Sequence, residues 1–246
     1  MSSVADAPSK SVLCLGVYLS DKAHYAAEIT ENFLSATDWN VDCRWALLGE
    51  APPPTSLAAC TVIRQGQRME KSMVINQLLK TVDIDDYEYV IVTDDDIGVP
   101  DSFLDRFLSV VERRGFSLSQ PARTHSSFID HYFVAQLLGI ESRLTNFVEI
   151  GPLFCAHRSS FHVLFPLDEH APMGWGLDFV WPVLMEQAQL TMGIVDNTPI
   201  EHSLRKPVSF YDYGETDSRM KQYFDSRPHL TYGQSFRIYH SFLHNQ

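Results

Sequence analysis

The sequence predicts an α/β fold with a mostly parallel sheet flanked by helices. Three observations carry this reading. Apolar runs of strand length alternate with amphipathic segments through the first half of the chain. The run Tyr89-Val90-Ile91-Val92 is apolar on both faces, as a central parallel strand covered by helices must be. It halts at Asp94-Asp95-Asp96, at the carboxyl end where open α/β sheets bind their ligands.

Taken in order, Val12–Leu19, Val41–Leu48 and Tyr89–Thr93 read as strands. Lys22–Leu34 and Met69–Leu79 supply the helical crossovers that parallel strands require. Pro100–Arg114 reads as a further helix, with Asp101 or Ser102 available as its cap. Phe116–Gln120 is a short strand and Phe128–Leu138 a helix by the same reasoning. Phe147–Ala156 then reads as a strand, Asp178–Gln189 as a helix and Met192–Val195 as a strand. The aromatic, turn-rich chain beyond Lys206 carries no assignment.

Composition narrows the class. The chain has 246 residues, 45% of them apolar, enough to bury a full core as one domain over residues 11–246. A net charge of −12 repels a phosphate backbone, so nucleic acid is not an expected partner. Val12–Leu19 falls far short of the roughly 20 residues that span a bilayer. Met1–Lys10 is small and polar, which reads as a flexible tail and not a secretion signal. Cys14, Cys43, Cys60 and Cys155 are scattered without a CxxC pair, arguing against a zinc cage and for a reduced, cytoplasmic protein. Oligomeric state leaves no trace in the sequence.

Three features can carry chemistry. Three consecutive carboxylates at a strand end need a counter-charge, and a divalent cation with hard oxygen ligands, Mn²⁺ or Mg²⁺, supplies one; an exposed acidic loop is the alternative. An EF-hand is excluded, because its sixth and twelfth positions would hold Val99 and Asp105. The second feature is Gly174-Trp175-Gly176-Leu177-Asp178. Two glycines around an indole make a turn that can present a flat apolar face and then a carboxylate, while Asp178 equally suits a helix cap. The third is Asp196 with His202, whose imidazole suits Mn²⁺. Arg205 and Lys206 follow directly, and Arg64, Arg68 and Lys71 form a second basic group; each set can meet phosphates or simply be solvated.

These residues suggest a family. Thr93-Asp94-Asp95-Asp96-Ile97-Gly98 resembles the DxD region of nucleotide-sugar glycosyltransferases of the type A fold, which implies a Rossmann-like nucleotide-binding half. The ordered set Leu118-Ser119-Gln120-Pro121-Ala122, Gly174-Trp175-Gly176-Leu177-Asp178 and Gly193-Ile194-Val195-Asp196 through His202 resembles a plant and bacterial family of unknown function. The Gly-Trp-Gly turn with its following acid is also similar to the β-1,4-galactosyltransferase signature, in which the acid deprotonates the acceptor. The resemblance implies a metal held by Asp94, Asp96 and His202, with Asp94 near the nucleoside; Asp94, Asp95, Arg64, Lys71, Arg205 and Lys206 are then the residues expected to bind the donor. It further implies an acceptor packed against Gly174, Trp175 and Gly176, with Asp178 as the base of an inverting transfer.

The resulting expectation is a metal-dependent glycosyltransferase that moves a sugar from a nucleotide-sugar donor to a carbohydrate or other hydroxyl acceptor, with Tyr211 and Tyr213 closing over the donor. Two alternatives are kept. One is a Mg²⁺-dependent phosphohydrolase of the haloacid dehalogenase type using Asp94 and Asp96, although that motif usually stands on the first strand. The other is a carbohydrate- or nucleotide-binding module without turnover.

Overall fold

The computed structural model describes residues 10–206 and 212–244. Its elements in chain order are β1 (Ser11–Leu19), α1 (Ala26–Leu34), β2 (Asn40–Leu48), β3 (Thr61–Gln65), α2 (Lys71–Leu79), β4 (Tyr89–Asp94) and α3 (Phe103–Arg114). The second half supplies β5 (Leu118–Arg123), β6 (Ile140–Thr145), β7 (Leu153–His157), α4 (Phe161–Leu164), α5 (Leu177–Gln187), β8 (Met192–Ile200), α6 (Tyr213–Asp225) and β9 (Ile238–Leu243).

All the strands join one sheet in the order β3-β2-β1-β4-β7-β5-β8-β6-β9. The sheet is mixed, which corrects the expectation of a mostly parallel one. β3, β2, β1 and β4 are mutually parallel, as are β5 and β8, but β7 runs antiparallel between β4 and β5, and β6 and β9 are antiparallel beyond β8. The parallel part is therefore the N-terminal half, where the βα alternation is regular. Val90 and Val92 face a core with Leu13, Leu15, Val74 and Trp181 on one side of the sheet. Ile91 faces Phe33, Trp45, Phe103 and Phe107 on the other, so β4 is covered twice over.

The expected helix over Phe128–Leu138 is absent; only a single 3₁₀ turn at Tyr132–Val134 forms. Its carbonyls are taken by buried arginines instead: Arg123 Nη1 donates to Phe128 O at 2.9 Å, and Arg143 donates to Phe133 O at 2.7 Å and Ala135 O at 3.0 Å. A helix would have to give those bonds up. The strand expected over Phe147–Ala156 begins only at Leu153, after Pro152, which has no N–H to offer a ladder. α3 starts at Phe103, and Ser102 before it sits at φ 51° with its side chain capping nothing, so neither expected cap forms. α1 starts at Ala26, four residues after Lys22.

β6 carries the sharpest exception to apolar patterning. Arg143 is wholly buried, with 1% of its side chain exposed, and makes a two-pronged ion pair with Asp196 of β8, which is 0% exposed. Both Asp196 oxygens are thus engaged within the fold, by Arg143 and by the Leu137 amide. Removing one partner leaves an uncompensated buried charge. Arg143→Met is expected to cost about 3–5 kcal/mol in urea unfolding, and Arg143→Met combined with Asp196→Leu to recover most of it. Equal losses in the single and double variants would contradict this.

Candidate functional site

The site is built at the carboxyl ends of the parallel strands, and its chemistry begins with β4. The Asp94 amide donates to Pro152 O at 2.7 Å, so the strand's last residue is tied to the segment entering β7. Its carboxylate pairs with Lys71 Nζ at 2.7 Å, at the start of α2, and the same ammonium reaches Ile150 O at 3.3 Å. Asp95 turns inward. It accepts the Leu19 amide at 3.0 Å and bonds the Arg205 guanidinium through both oxygens, while its own carbonyl accepts the Tyr25 amide at 2.6 Å. Asp96 meets Arg205 at 3.0 Å on one oxygen and His202 Nε2 at 3.2 Å on the other.

The electrostatics follow from these partners. Burial pushes the Asp95 carboxyl up to about 6, against the pull of Arg205 and the Leu19 amide. Burial also raises Asp96, but the hydrogen bond and charge of His202 and the charge of Arg205 outweigh it, so Asp96 stays below the ordinary carboxylate value. Burial lowers Arg205, and its contacts with Asp95 and Asp96 more than reverse that. The counter-charge that the acidic triplet requires is therefore present in the chain itself, as Lys71 on one side and Arg205 on the other.

This bears on the expected metal triad. Asp96 and His202 are brought together, but Asp94 is engaged with Lys71, and among the described residues no three His, Cys, Asp or Glu side chains form a group placed to hold a metal ion. A carboxylate and an imidazole suit Mn²⁺, and Mn²⁺- or Mg²⁺-type ions are commonly completed by one or two carboxylates, substrate phosphates and water. Nδ1 of His202 has no hydrogen-bond partner. The donor set thus fits a cation shared with a phosphate ligand, and does not amount to a closed protein cage.

Of the other expected donor contacts, Arg64 is exposed on β3 and lines a cavity of about 310 Å³ with Gly49, Glu50, Pro52 and Gly66 at the carboxyl ends of β2 and β3. Arg68 pairs with Asp21 at 3.1 Å. Lys206 is exposed at the edge of the described residues. Tyr211 lies outside the described residues, and Tyr213 opens α6. A larger cavity of about 670 Å³ is lined by α1, the Ile97–Ser102 loop, Glu201 and Ser203.

The Gly-Trp-Gly turn is real. Gly174 and Gly176 have φ of 84° and 95°, and a Cβ at Gly176 would come within 2.9 Å of the Phe224 ring, so a side chain there is excluded on two counts. Trp175 is half-buried between them. Gly176 is the residue before α5, which makes Asp178 a first-turn residue and not the cap. Asp178 is 8% exposed, and its Oδ1 has no partner. Burial raises its carboxyl to about 7, against the backbone amides of Asp178, Gly176 and Phe179.

One group escaped sequence reasoning. Glu149, 4% exposed, pairs with Arg123, 2% exposed, which also donates to Gly151 O at 2.7 Å; the Glu149 amide donates to Gln120 at 2.6 Å. Burial raises Glu149 above the ordinary range despite Arg123. The available signal was a single acid inside the apolar run Phe147-Val148-Glu149-Ile150. The segment 149–152 links the two halves of the site: Ile150 O meets Lys71, Pro152 O meets Asp94, and the Ile150 side chain lies 3.1 Å from where a Gly174 Cβ would stand.

Among the described residues, no helix is long and apolar enough to cross a membrane. No family model matches the chain, and no curated protein matches it, so the plant and bacterial family stands as a resemblance. A fold likeness is found to a solved structure described as GalNAc-T7 with UDP, GalNAc and Mn²⁺. It has 11% identity and a TM-score of 0.55, covering 87% of this chain and 47% of the other. The chain thus spans about half the length of that structure and resembles it in fold over that part.

Proposed function

We propose that the protein is a metal-dependent glycosyltransferase, a single catalytic domain that takes a nucleotide-diphosphate sugar and passes the sugar to an acceptor hydroxyl. The observation that carries this reading is the pairing of Asp96 with His202 beside Arg205 and Lys71, at the carboxyl edge of a sheet shared with a glycosyltransferase crystallised with UDP and Mn²⁺. Fold alone does not assign chemistry; the site must do so.

In this reading the cavity beside Arg64 takes the nucleoside, and Lys71 and Arg205 meet the diphosphate. Asp96 and His202 would hold the cation, with Asp94 completing the set once Lys71 turns to phosphate. The cation, when bound, offsets negative charge on the departing nucleoside diphosphate. Trp175 packs on the acceptor. Asp178, in the first turn of α5, takes the acceptor's proton from the face opposite the leaving group, which gives inversion.

Phosphohydrolase chemistry finds less support. The haloacid dehalogenase reading needs Asp94 as a nucleophile and Asp96 as an acid, whereas Asp94 is engaged by Lys71 and Asp96 is held below the ordinary carboxylate value. Release of phosphate from simple esters with Mg²⁺, without transfer from any nucleotide sugar, would restore it.

UDP with Mn²⁺ is expected to raise the melting temperature, since a ligand at a hundred times its dissociation constant adds about 2.7 kcal/mol. Asp96→Ala should abolish the Mn²⁺-dependent part, and Asp178→Ala should keep it while losing transfer to acceptor. No metal-dependent nucleotide binding in the folded protein would sink the proposal.

The raised Asp178 pKa makes two opposite pH trends. The base works ionised, so kcat/KM should rise with pH through about 7. Stability runs the other way. The folded state keeps a proton that the unfolded chain releases near pH 4, so the contribution is whole below that pH and lost as pH climbs through 7. Asp178→Asn should gain relative to the parent by at most about 4 kcal/mol between pH 4 and pH 8, measured by urea unfolding. A pH-independent difference would argue that the carboxyl titrates normally.

A further inference from the structure

The proposed cation ligands Asp94 and His202 come from distant parts of the chain, and one buried arginine holds the backbone beside each. Arg123, 2% exposed, is the last residue of β5. Its Nη2 bonds Glu149 and donates to Gly151 O at 2.7 Å, while its Nη1 donates to Phe128 O at 2.9 Å. Each carbonyl leads to one side of the site. Gly151 stands against the Asp94–Lys71 pair, because a Cβ there would lie 3.3 Å from Asp94 Oδ2 and 3.5 Å from Lys71 Nζ. Its neighbours complete the contact: Ile150 O accepts from Lys71 at 3.3 Å and Pro152 O from the Asp94 amide at 2.7 Å.

Phe128 ends a turn over 124–128 that grips the His202 main chain twice. The Phe128 amide donates to His202 O at 2.8 Å, and the His202 amide donates to Ser127 Oγ at 3.0 Å. The turn closes on itself where the Ser127 amide meets Thr124 O at 3.1 Å, directly after Arg123. A guanidinium suits this place because its donors lie in one rigid plane, so that bonds to Gly151 and Phe128 fix the two carbonyls at a set separation. Glu149 supplies the opposite charge that so buried a cation requires. Small divalent ions of the Mg²⁺ type accept ligands only at about 2.0–2.1 Å in near-ideal geometry, so a change in the separation of Asp94 from His202 is felt by the ion.

We propose that Arg123 is a positioning residue of the cation site: through Gly151 and the 124–128 turn it sets the separation of Asp94 from His202 without touching the ion. This rests on the glycosyl-transfer reading and names a residue on which its cation affinity depends.

The test is Mn²⁺ binding to the full chain with saturating UDP, read from the electron paramagnetic resonance of free Mn²⁺. Arg123→Lys keeps the charge opposite Glu149 but loses the planar fork, and should weaken Mn²⁺ binding about tenfold or more, the size typical of groups that orient metal ligands. Ser127→Ala removes the half-buried hydroxyl that accepts the His202 amide, and should weaken it about threefold. Arg143→Met combined with Asp196→Leu should bind Mn²⁺ like the parent, since the bonds of that equally buried arginine reach neither Gly151 nor the 124–128 turn. In the metal-free chain, the His202 imidazole resonance, assigned by its absence in His202→Gln, should move in Arg123→Lys and in Ser127→Ala. Parent-like affinity or an unmoved resonance in either variant, or an equal loss in the Arg143 and Asp196 double variant, would overturn the assignment. If Arg123→Lys does not fold, Ser127→Ala decides by both readouts. A parent chain that binds no Mn²⁺ with UDP sinks the metal-dependent reading, and the resonance alone then judges the positioning of His202. Parent binding with unchanged variants sinks only the role of Arg123.

Discussion

The arrangement of the whole site depends on how the negative charge at the end of β4 is held. Three successive carboxylates leave a strand buried on both faces, and ionised groups in such a position cost several kcal/mol each unless they are paired. The chain divides the load. Lys71 takes Asp94, Arg205 takes Asp95 and shares Asp96, and His202 completes Asp96. Asp95 is the innermost of the three, and its bonds to Leu19 and Tyr25 anchor the loop that leads into α1. Residues separated by more than a hundred positions, Asp96 and Arg205, are thereby locked against one another. Asp94 and Asp96 lie on either side of this anchor. In the glycosyl-transfer reading Lys71 would exchange the Asp94 carboxylate for phosphate, while Arg205 keeps its hold on the buried Asp95.

The N-terminal half was legible because its physics is local. β1, β2, β4, α2 and α3 announce themselves by period and by apolar runs, and their observed bounds differ from expectation by a few residues at most. The second half departs wherever a buried charge replaces an apolar residue. β6, Ile140–Thr145, was missed because Arg143 looks like a surface residue until Asp196 is placed opposite it. Phe128–Leu138 has a helical pattern, yet Arg123 and Arg143 claim its carbonyls. β3 is a short, half-exposed edge strand with little apolar signal, and β9 sits in the tail that sequence left unassigned. Long-range ion pairs have no signature in local periodicity.

The site shows the same division. Asp94–Asp96 and the Gly-Trp-Gly turn could be singled out because each is a contiguous run of unusual residue types. His202 was singled out beside Asp196 and through the resemblance, and the structure sets it against Asp96 while Asp196 pairs with Arg143. Glu149 and Arg123 could not be linked in advance, being 26 positions apart on segments whose pairing is set by β5 and the chain entering β7. What their contact does is mechanical as well as chemical. Through Ile150 and Pro152 the same short segment touches Lys71, Asp94 and the space beside Gly174, so the end of β4 and the Gly-Trp-Gly turn are tied to a single stretch of backbone.

That coupling explains why so much unfavourable electrostatics is tolerated there. Asp178 and Glu149 are both raised by burial, and each carries an unmatched oxygen. A fold optimised for stability alone would replace them with apolar side chains of similar shape, since buried ionic groups seldom outperform good packing. Strain of this kind concentrates where it is used. Arg143 and Asp196, equally buried but fully satisfied by one another and by backbone carbonyls, mark the contrasting case. The difference between the two buried clusters is the set of atoms left without a hydrogen-bond partner, Asp178 Oδ1 and Glu149 Oε1 among them.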